Sequence, residues 1–319
     1  MPFIQEILKY GSLSVVGLEK NCGKTECLNY ILNRLPKEGR KICVTSIGID
    51  GERIDQVTST SKPEITLSEG LLFSTSEKHY RIRNLLSEVV GISEETTSLG
   101  RVITSKVIRE GKVILSGPSS SASLIRWMKE VKALGSDLVI VDGALSRLSS
   151  ASPAVTESMI LATGAALSSN IPTLVAKTAF VVQMIGLDLM DPTISRHETV
   201  TISSMAAEFE PTPECRRVMI SGALTDRMLN RIAQEKNLGT FEVVVRDFTK
   251  LFITPRTYGA FVKLGGRLRV ESRSKLVAVC VNPLSPSGFR LDSDTLCREL
   301  SDRISLPVYD IVKNRYITN

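Results

Sequence analysis

Histidine and tryptophan are the scarcest chemistry-bearing residues: His79, His197 and a single tryptophan in 319 residues. Six cysteines (Cys22, Cys27, Cys43, Cys215, Cys280 and Cys297) show no C-x-x-C spacing, so zinc and haem sites are not expected. The thiols read instead as buried and reduced. Long apolar runs are missing too. The softest segment, Ile171 to Met190, is interrupted by Pro172, Lys177, Gln183 and Asp188 and falls short of the ~18 apolar residues of a membrane span. The opening MPFIQEILKY carries an acidic residue and no long apolar core, so a secretory signal is not expected and the cytoplasm is the default compartment. Nor is charge of one sign clustered. The net charge of +6 comes from Lys and Arg spread along the chain, which leaves no basic run for nucleic acid.

What is present is ordinary globular composition, 42% hydrophobic and 23% charged, in a chain long enough for about two domains. Leu13 to Gly17 is a short apolar run ending in glycine, as a buried parallel strand would. Apolar residues at Leu28, Ile31, Leu32 and Leu35 then mark a helix, and Lys41 to Ile47 a second strand. Strand, helix, strand opens an α/β fold with a mainly parallel sheet flanked by helices. Further along, the pattern predicts a strand at 69–75, a helix at 81–90, and two strands around a turn at Glu110-Gly111. It continues with a helix at 124–134, a strand at 138–141 and a helix at about 153–167. A strand at 173–176 and a helix at 180–189 follow. The Pro-containing breaks DPT (191–193) and EPTPE (210–214) put a domain change near 195. Residues 1–195 then form one domain and 196–319 a second, smaller α/β domain, for which partner docking is the expectation because it carries no motif of its own. In the latter, strands are expected at 217–220, 241–245, 276–281 and 307–312, and helices at 224–236, 257–264 and 293–304.

The chemistry concentrates at Gly17-Leu-Glu-Lys-Asn-Cys-Gly23-Lys24-Thr25, between the first strand and its helix. Gly23 lets the backbone approach an anion without a Cβ in the way, and the helix N-terminus supplies N–H groups. Lys24 is placed to reach the β- and γ-phosphates of a nucleoside triphosphate, and the Thr25 hydroxyl to ligate Mg²⁺. Lys20, Asn21, Cys22 and Glu26 complete the expected nucleotide-contacting set, with Cys22 the one thiol expected to be accessible. The loop departs from G-x-x-x-x-G-K-[ST], because Leu18 stands at the first glycine position and Gly17 comes one residue early. Asp142 ends the strand LVIV and is the expected second metal-positioning carboxylate. Asp50, after the second strand, is the third metal and catalytic candidate, placed to orient the attacking water, with Glu52 as its substitute. The residues leave adenine and guanine equally open.

These motifs resemble one family. GLEKNCGKTECLNYIL, VTSIGIDGERIDQVTSTSKPEI, GPSSSASL, VDGALSRLSSASPAVTE and NPLSPSGF are similar to the small P-loop subunit of lysine 5,6-aminomutase reactivase. The resemblance spans most of the chain and is densest over 13–170. It implies ATP and Mg²⁺ as ligands, with Lys20, Asn21, Gly23, Lys24 and Thr25 in the loop and Asp50 and Asp142 at the acidic strand ends. It also implies a larger MutS-like ATPase subunit as partner. The target would be an adenosylcobalamin-dependent lysine 5,6-aminomutase of lysine degradation, from which damaged cobalamin is released. No D-x-H-x-x-G motif is present for direct cobalamin binding.

Three readings follow. The first is an ATP-driven remodelling factor with residues 48–68 as the nucleotide-sensing segment, itself able to form oligomers. The second is a dethiobiotin-synthetase-like ligase or kinase, which needs acid–base groups beside the γ-phosphate. No such set is evident in the sequence, and His79 and His197 read as surface residues. The third is a scaffold that binds nucleotide without hydrolysing it.

Overall fold

The computed structural model describes residues 2–36, 39–47, 65–143, 152–203, 212–313 and 315–317. The chain divides into two units, each described by itself. The first comprises Met1–Ala151, Val155–Thr178 and Lys275–Asn319, the second Ser152–Ala154 and Ala179–Ser274. This differs from the division at 195 drawn from the sequence: the last 45 residues, Lys275–Asn319, rejoin the first unit. Local patterning registers that a strand exists at 276–281 but carries nothing about which sheet it enters.

The first unit contains α1 (Phe3–Ile7), β1 (Ser12–Gly17), α2 (Lys24–Leu32), β2 (Ile42–Ser46), β3 (Ile65–Leu67), β4 (Leu72–Ser76) and α3 (Glu77–Arg81). It continues with β5 (Asn84–Thr97), β6 (Gly100–Val113), α4 (Ser121–Ala133), β7 (Leu138–Gly143) and β8 (Ser158–Gly164). The boundary with the second unit falls within α5 (Ile171–Ile185). The second unit holds β9 (Thr199–Ile202), β10 (Arg217–Ile220), β11 (Leu224–Thr225), α6 (Asp226–Ile232), β12 (Glu242–Val245), β13 (Leu251–Phe252), α7 (Pro255–Lys263) and β14 (Arg267–Val270). The chain then closes with β15 (Lys275–Asn282), α8 (Ser293–Ile304), β16 (Val308–Asp310) and β17 (Arg315–Ile317).

The first unit is α/β with a mostly parallel, mixed sheet in the order β17-β16-β15-β8-β1-β7-β2-β4-β6-β3, and β5 pairs with β6. Pairing is parallel from β16 to β4, and antiparallel at β16–β17 and wherever β6 takes part. β7 shows why its apolar run is continuous. Leu138 and Ile140 pack with Leu28 and Ile31 of α2, while Val139 and Val141 pack with Leu124 and Trp127 of α4. Successive strand side chains point to opposite faces, so a strand covered by helices on both sides must be apolar throughout. Among the described residues no helix is long and apolar enough to cross a membrane.

Four expected elements come out differently. Residues 81–90 carry apolar side chains at helical spacing, yet only Glu77–Arg81 is helical and 84–97 is β5, paired along its length with β6. Tertiary pairing and the β-branched Val89, Val90 and Ile92 override the local period. Glu110-Gly111 is not a turn, because Gly111 lies inside β6 opposite Leu67 and the hairpin turns at Ser98-Leu99. Residues 158–164 are a strand instead of part of a helix, buried at every position between β1 and β15. A short apolar run of that kind carries no period to separate the two states. Residues 173–176 and 180–189 are not strand plus helix: α5 is one helix, with the Asn170 carboxamide accepting the Thr173 N–H at 2.9 Å in its first turn.

The second unit is built on the parallel sheet β14-β12-β10-β9. Val218, Ile220, Val243, Val245, Leu268 and Val270 face its core. On the alternate positions Arg217 and Glu242 form a buried ion pair with Nε–Oε1 at 2.7 Å. Asp247 is buried after β12. Burial pushes its carboxyl up, but hydrogen bonds from Thr249, from Ser152 (2.7 Å) and from Arg246 (3.1 Å) outweigh that and hold it below the usual carboxylate range. A carboxyl depressed by folding adds stability that is complete above its unfolded value of about 3.9 and is lost as the pH falls through the folded value. Urea unfolding at pH 6 and pH 3 should therefore show a smaller acid loss in Asp247→Asn than in the wild type.

Candidate functional site

β1 (SLSVVG) is buried at all six positions and delivers the loop 18–23 to the carboxyl edge of the sheet. Its neighbours set the surroundings: Val15 lies opposite Asp142 of β7, and Gly17 opposite Ala162 of β8. The loop folds back on its own start. The Leu18 N–H donates to the Ala162 carbonyl at 2.9 Å, and the Cys22 thiol donates to the same oxygen at 3.4 Å. A Cβ at Gly17 would stand 2.5 Å from Cys22 Sγ. Glycine is thus needed one residue earlier than the usual spacing because the thiol closes over that point, and Leu18 is free to be a buried apolar residue.

Asn21 and Gly23 have positive φ, 61° and 91°, which turns the backbone into α2. A Cβ at Gly23 would lie 2.6 Å from Cβ of Asn282, the last residue of β15. Asn282 is held by its side chain, which accepts the Leu284 N–H at 3.0 Å, and by its carbonyl, which accepts the Ala165 N–H at 2.9 Å. The sequence offers Asn-Pro after an apolar strand as a turn signal. It does not reveal that β15 returns beside β8, which is what brings Asn282 to the loop.

α2 starts at Lys24, and the N–H groups of its first turn have no partner within the helix. Lys24 Nζ lies 2.6 Å from Asp142 Oδ1, the two side chains being 25% and 15% exposed. The end of β7 is pinned from the other side, where the Asp142 carbonyl accepts the Ile47 N–H at 2.9 Å and the Ser46 hydroxyl at 3.3 Å. A partly exposed ion pair contributes about 0–1 kcal/mol. It can therefore be exchanged at little cost for charge-assisted bonds from Lys24 to phosphate.

The structure thus brings together Gly23, Lys24 and Asp142, with half-buried Thr25 beside Lys24 in the first turn of α2. Lys20, Asn21 and Glu26 are on the exposed side of the same loop and helix turn. Cys22 corrects one expectation: it is buried, burial pushes its thiol up, and its part is to pack over Gly17 instead of presenting a reactive thiol. Asp50 and Glu52, and residues 48–64 of the expected sensing segment, lie outside the described residues. Thr25 and Asp142 offer hard oxygen donors, which suit Mg²⁺. No group of three or more His, Cys, Asp or Glu able to hold a metal occurs among the described residues. Mg²⁺ in phosphate sites takes one or two protein carboxylates plus phosphate and water, so such a group is not required.

His79 corrects a second expectation. It is half-buried, with Nδ1 2.8 Å from the Ser116 hydroxyl. Ser116 Oγ also lies 2.6 Å from Ser76 Oγ and 3.0 Å from Thr75 Oγ1. The next residue, Gly117, donates its N–H to the Ser46 carbonyl at 2.7 Å, so this hydroxyl–imidazole cluster is one residue removed from the strand end that touches Asp142. His197 is exposed, as read from the sequence.

A shallow concavity of about 330 Å³ lined by Tyr10, Gly11, Arg40 and Asp137 lies at the amino ends of β1, β2 and β7. Ligands of open α/β sheets bind outside the carboxyl ends, where Lys24 and Asp142 are. No family model, no curated protein and no solved structure matches this chain.

Proposed function

We propose that the chain is a P-loop protein that binds and hydrolyses a Mg²⁺-bound nucleoside triphosphate. The observation that supports this most is the 2.6 Å pair between Lys24 and Asp142, one from the helix start after a glycine-cradled loop and the other from the adjacent strand end. Gly23 opens the backbone to the polyphosphate, Lys24 neutralises its β- and γ-oxygens, and Thr25 and Asp142 hold or orient the metal. Magnesium, when bound, supplies Lewis-acid stabilisation of charge developing on the transferred phosphoryl group. Asp50 keeps its proposed role of orienting the attacking water.

Asp142→Asn removes the carboxylate while keeping its shape. Magnesium-dependent hydrolysis should fall about 10–100-fold, as it does when metal-orienting groups are lost, with metal-free nucleotide affinity little changed. Hydrolysis assays across a magnesium titration check this, and an unaltered magnesium dependence would count against the assignment.

Within that chemistry, ATP as the nucleotide and a reactivase role on lysine 5,6-aminomutase rest on the motif resemblance. The test is reactivation. Stalled aminomutase incubated with this chain, the larger MutS-like subunit, ATP and fresh adenosylcobalamin should regain turnover, and absence of recovery would remove the role. The second reading, a small-molecule ligase or kinase, is favoured by half-buried His79, an acid–base group in contact with the buried hydroxyl of Ser116. ATP consumption that depends on a small metabolite and is lost in His79→Ala would favour it over the remodelling role.

A further inference from the structure

β5 is a 14-residue strand whose one strand partner among the described residues is β6. Its other edge presents a row of backbone donors and acceptors. Along it Leu86, Val89 and Ile92 are 52%, 45% and 53% exposed, a concentration of apolar surface on one element. Val89 and Ile92 are three residues apart yet share a face. They lie opposite Ser105 and Ile103, two apart on β6, because the register shifts between Val89 and Gly91.

The spacing is symmetric about Val89. We propose that β5 pairs edge to edge and antiparallel with β5 of a second copy of this chain, on a two-fold axis through Val89. In that register Leu86 of each copy meets Ile92 of the other and Val89 meets its own equivalent, so the apolar row covers itself. Charge agrees with the register. Glu88 falls opposite Val90 and Glu94 opposite Asn84, so no like charges meet, while Glu95 stays paired with Arg126 of its own chain. Sliding the axis to Gly91 sets Glu88 against Glu94 twice, which selects the Val89 register over its neighbour.

The full chain should sediment near twice its 34.9 kDa at micromolar concentration. Val89→Glu sets two carboxylates on the axis and should raise the dimer dissociation constant by a hundredfold or more. Leu86→Glu and Ile92→Lys should each dissociate the dimer, and the double substitution should restore it through two Glu–Lys pairs across the axis. All three positions changed are exposed, and circular dichroism checks that each variant stays folded. A wild type that is monomeric at ~100 µM, a Val89→Glu variant that stays dimeric, or a double variant no better associated than the singles would each overturn the proposal.

Discussion

Lys24→Ala should lower nucleotide hydrolysis by about 10²–10³-fold, the usual cost of deleting one preorganised charge-stabilising donor. The ammonium is the only side-chain cation that the structure places against Asp142 at the mouth of the loop among the described residues. Without it, the β- and γ-oxygens keep the backbone N–H groups but lose the positive charge that offsets their own. The fold should be little affected, since the ion pair is partly exposed and contributes about 0–1 kcal/mol. That separation of effects is the diagnostic: unfolding midpoints within a few degrees of wild type, with hydrolysis nearly gone. Hydrolysis within about threefold of wild type would mean that Lys24 serves only to neutralise Asp142.

Gly23→Val should instead damage both the loop and the site. The backbone at Gly23 has φ of 91°, which costs an L residue about 1–2 kcal/mol and a β-branched one more. The new Cβ would also lie 2.6 Å from that of Asn282. Asn282 cannot withdraw, because its backbone is paired to β8 and its side chain caps Leu284. Overpacking of this kind adds about 1–3 kcal/mol. Urea unfolding should register the combined loss, and nucleotide binding should vanish because the loop must open to admit the side chain. Gly23→Ala should fall between wild type and valine. Tight nucleotide binding by the valine variant would show that the loop does not carry the phosphates.

The loop and its two strands were legible because their signals are local. An apolar run ending in Gly17, a helix opening at Lys24 and an acidic strand end at Asp142 each depend on a few adjacent residues. The departure at Leu18 could not be interpreted from sequence, since it depends on Cys22 folding back over Gly17. Asn282 and His79 were missed for a related reason. Each reaches the carboxyl edge through long-range topology, β15 returning beside β8 and Ser116 meeting the end of β4. The strand errors share one cause. In β5 and β8 the partner strands decide the conformation, so the helical spacing of 81–90 is overruled by pairing and the apolar run within the expected helix at about 153–167 is a strand.

Calorimetric titration of ATP into the full chain, with magnesium and again with excess chelator, tests the central reading most directly. The expected result is one site per chain, weakened by removing magnesium and abolished by Gly23→Val. No heat of binding in the wild type, or equal affinity in the valine variant, would contradict the assignment of the Gly17–Thr25 loop as the phosphate cradle.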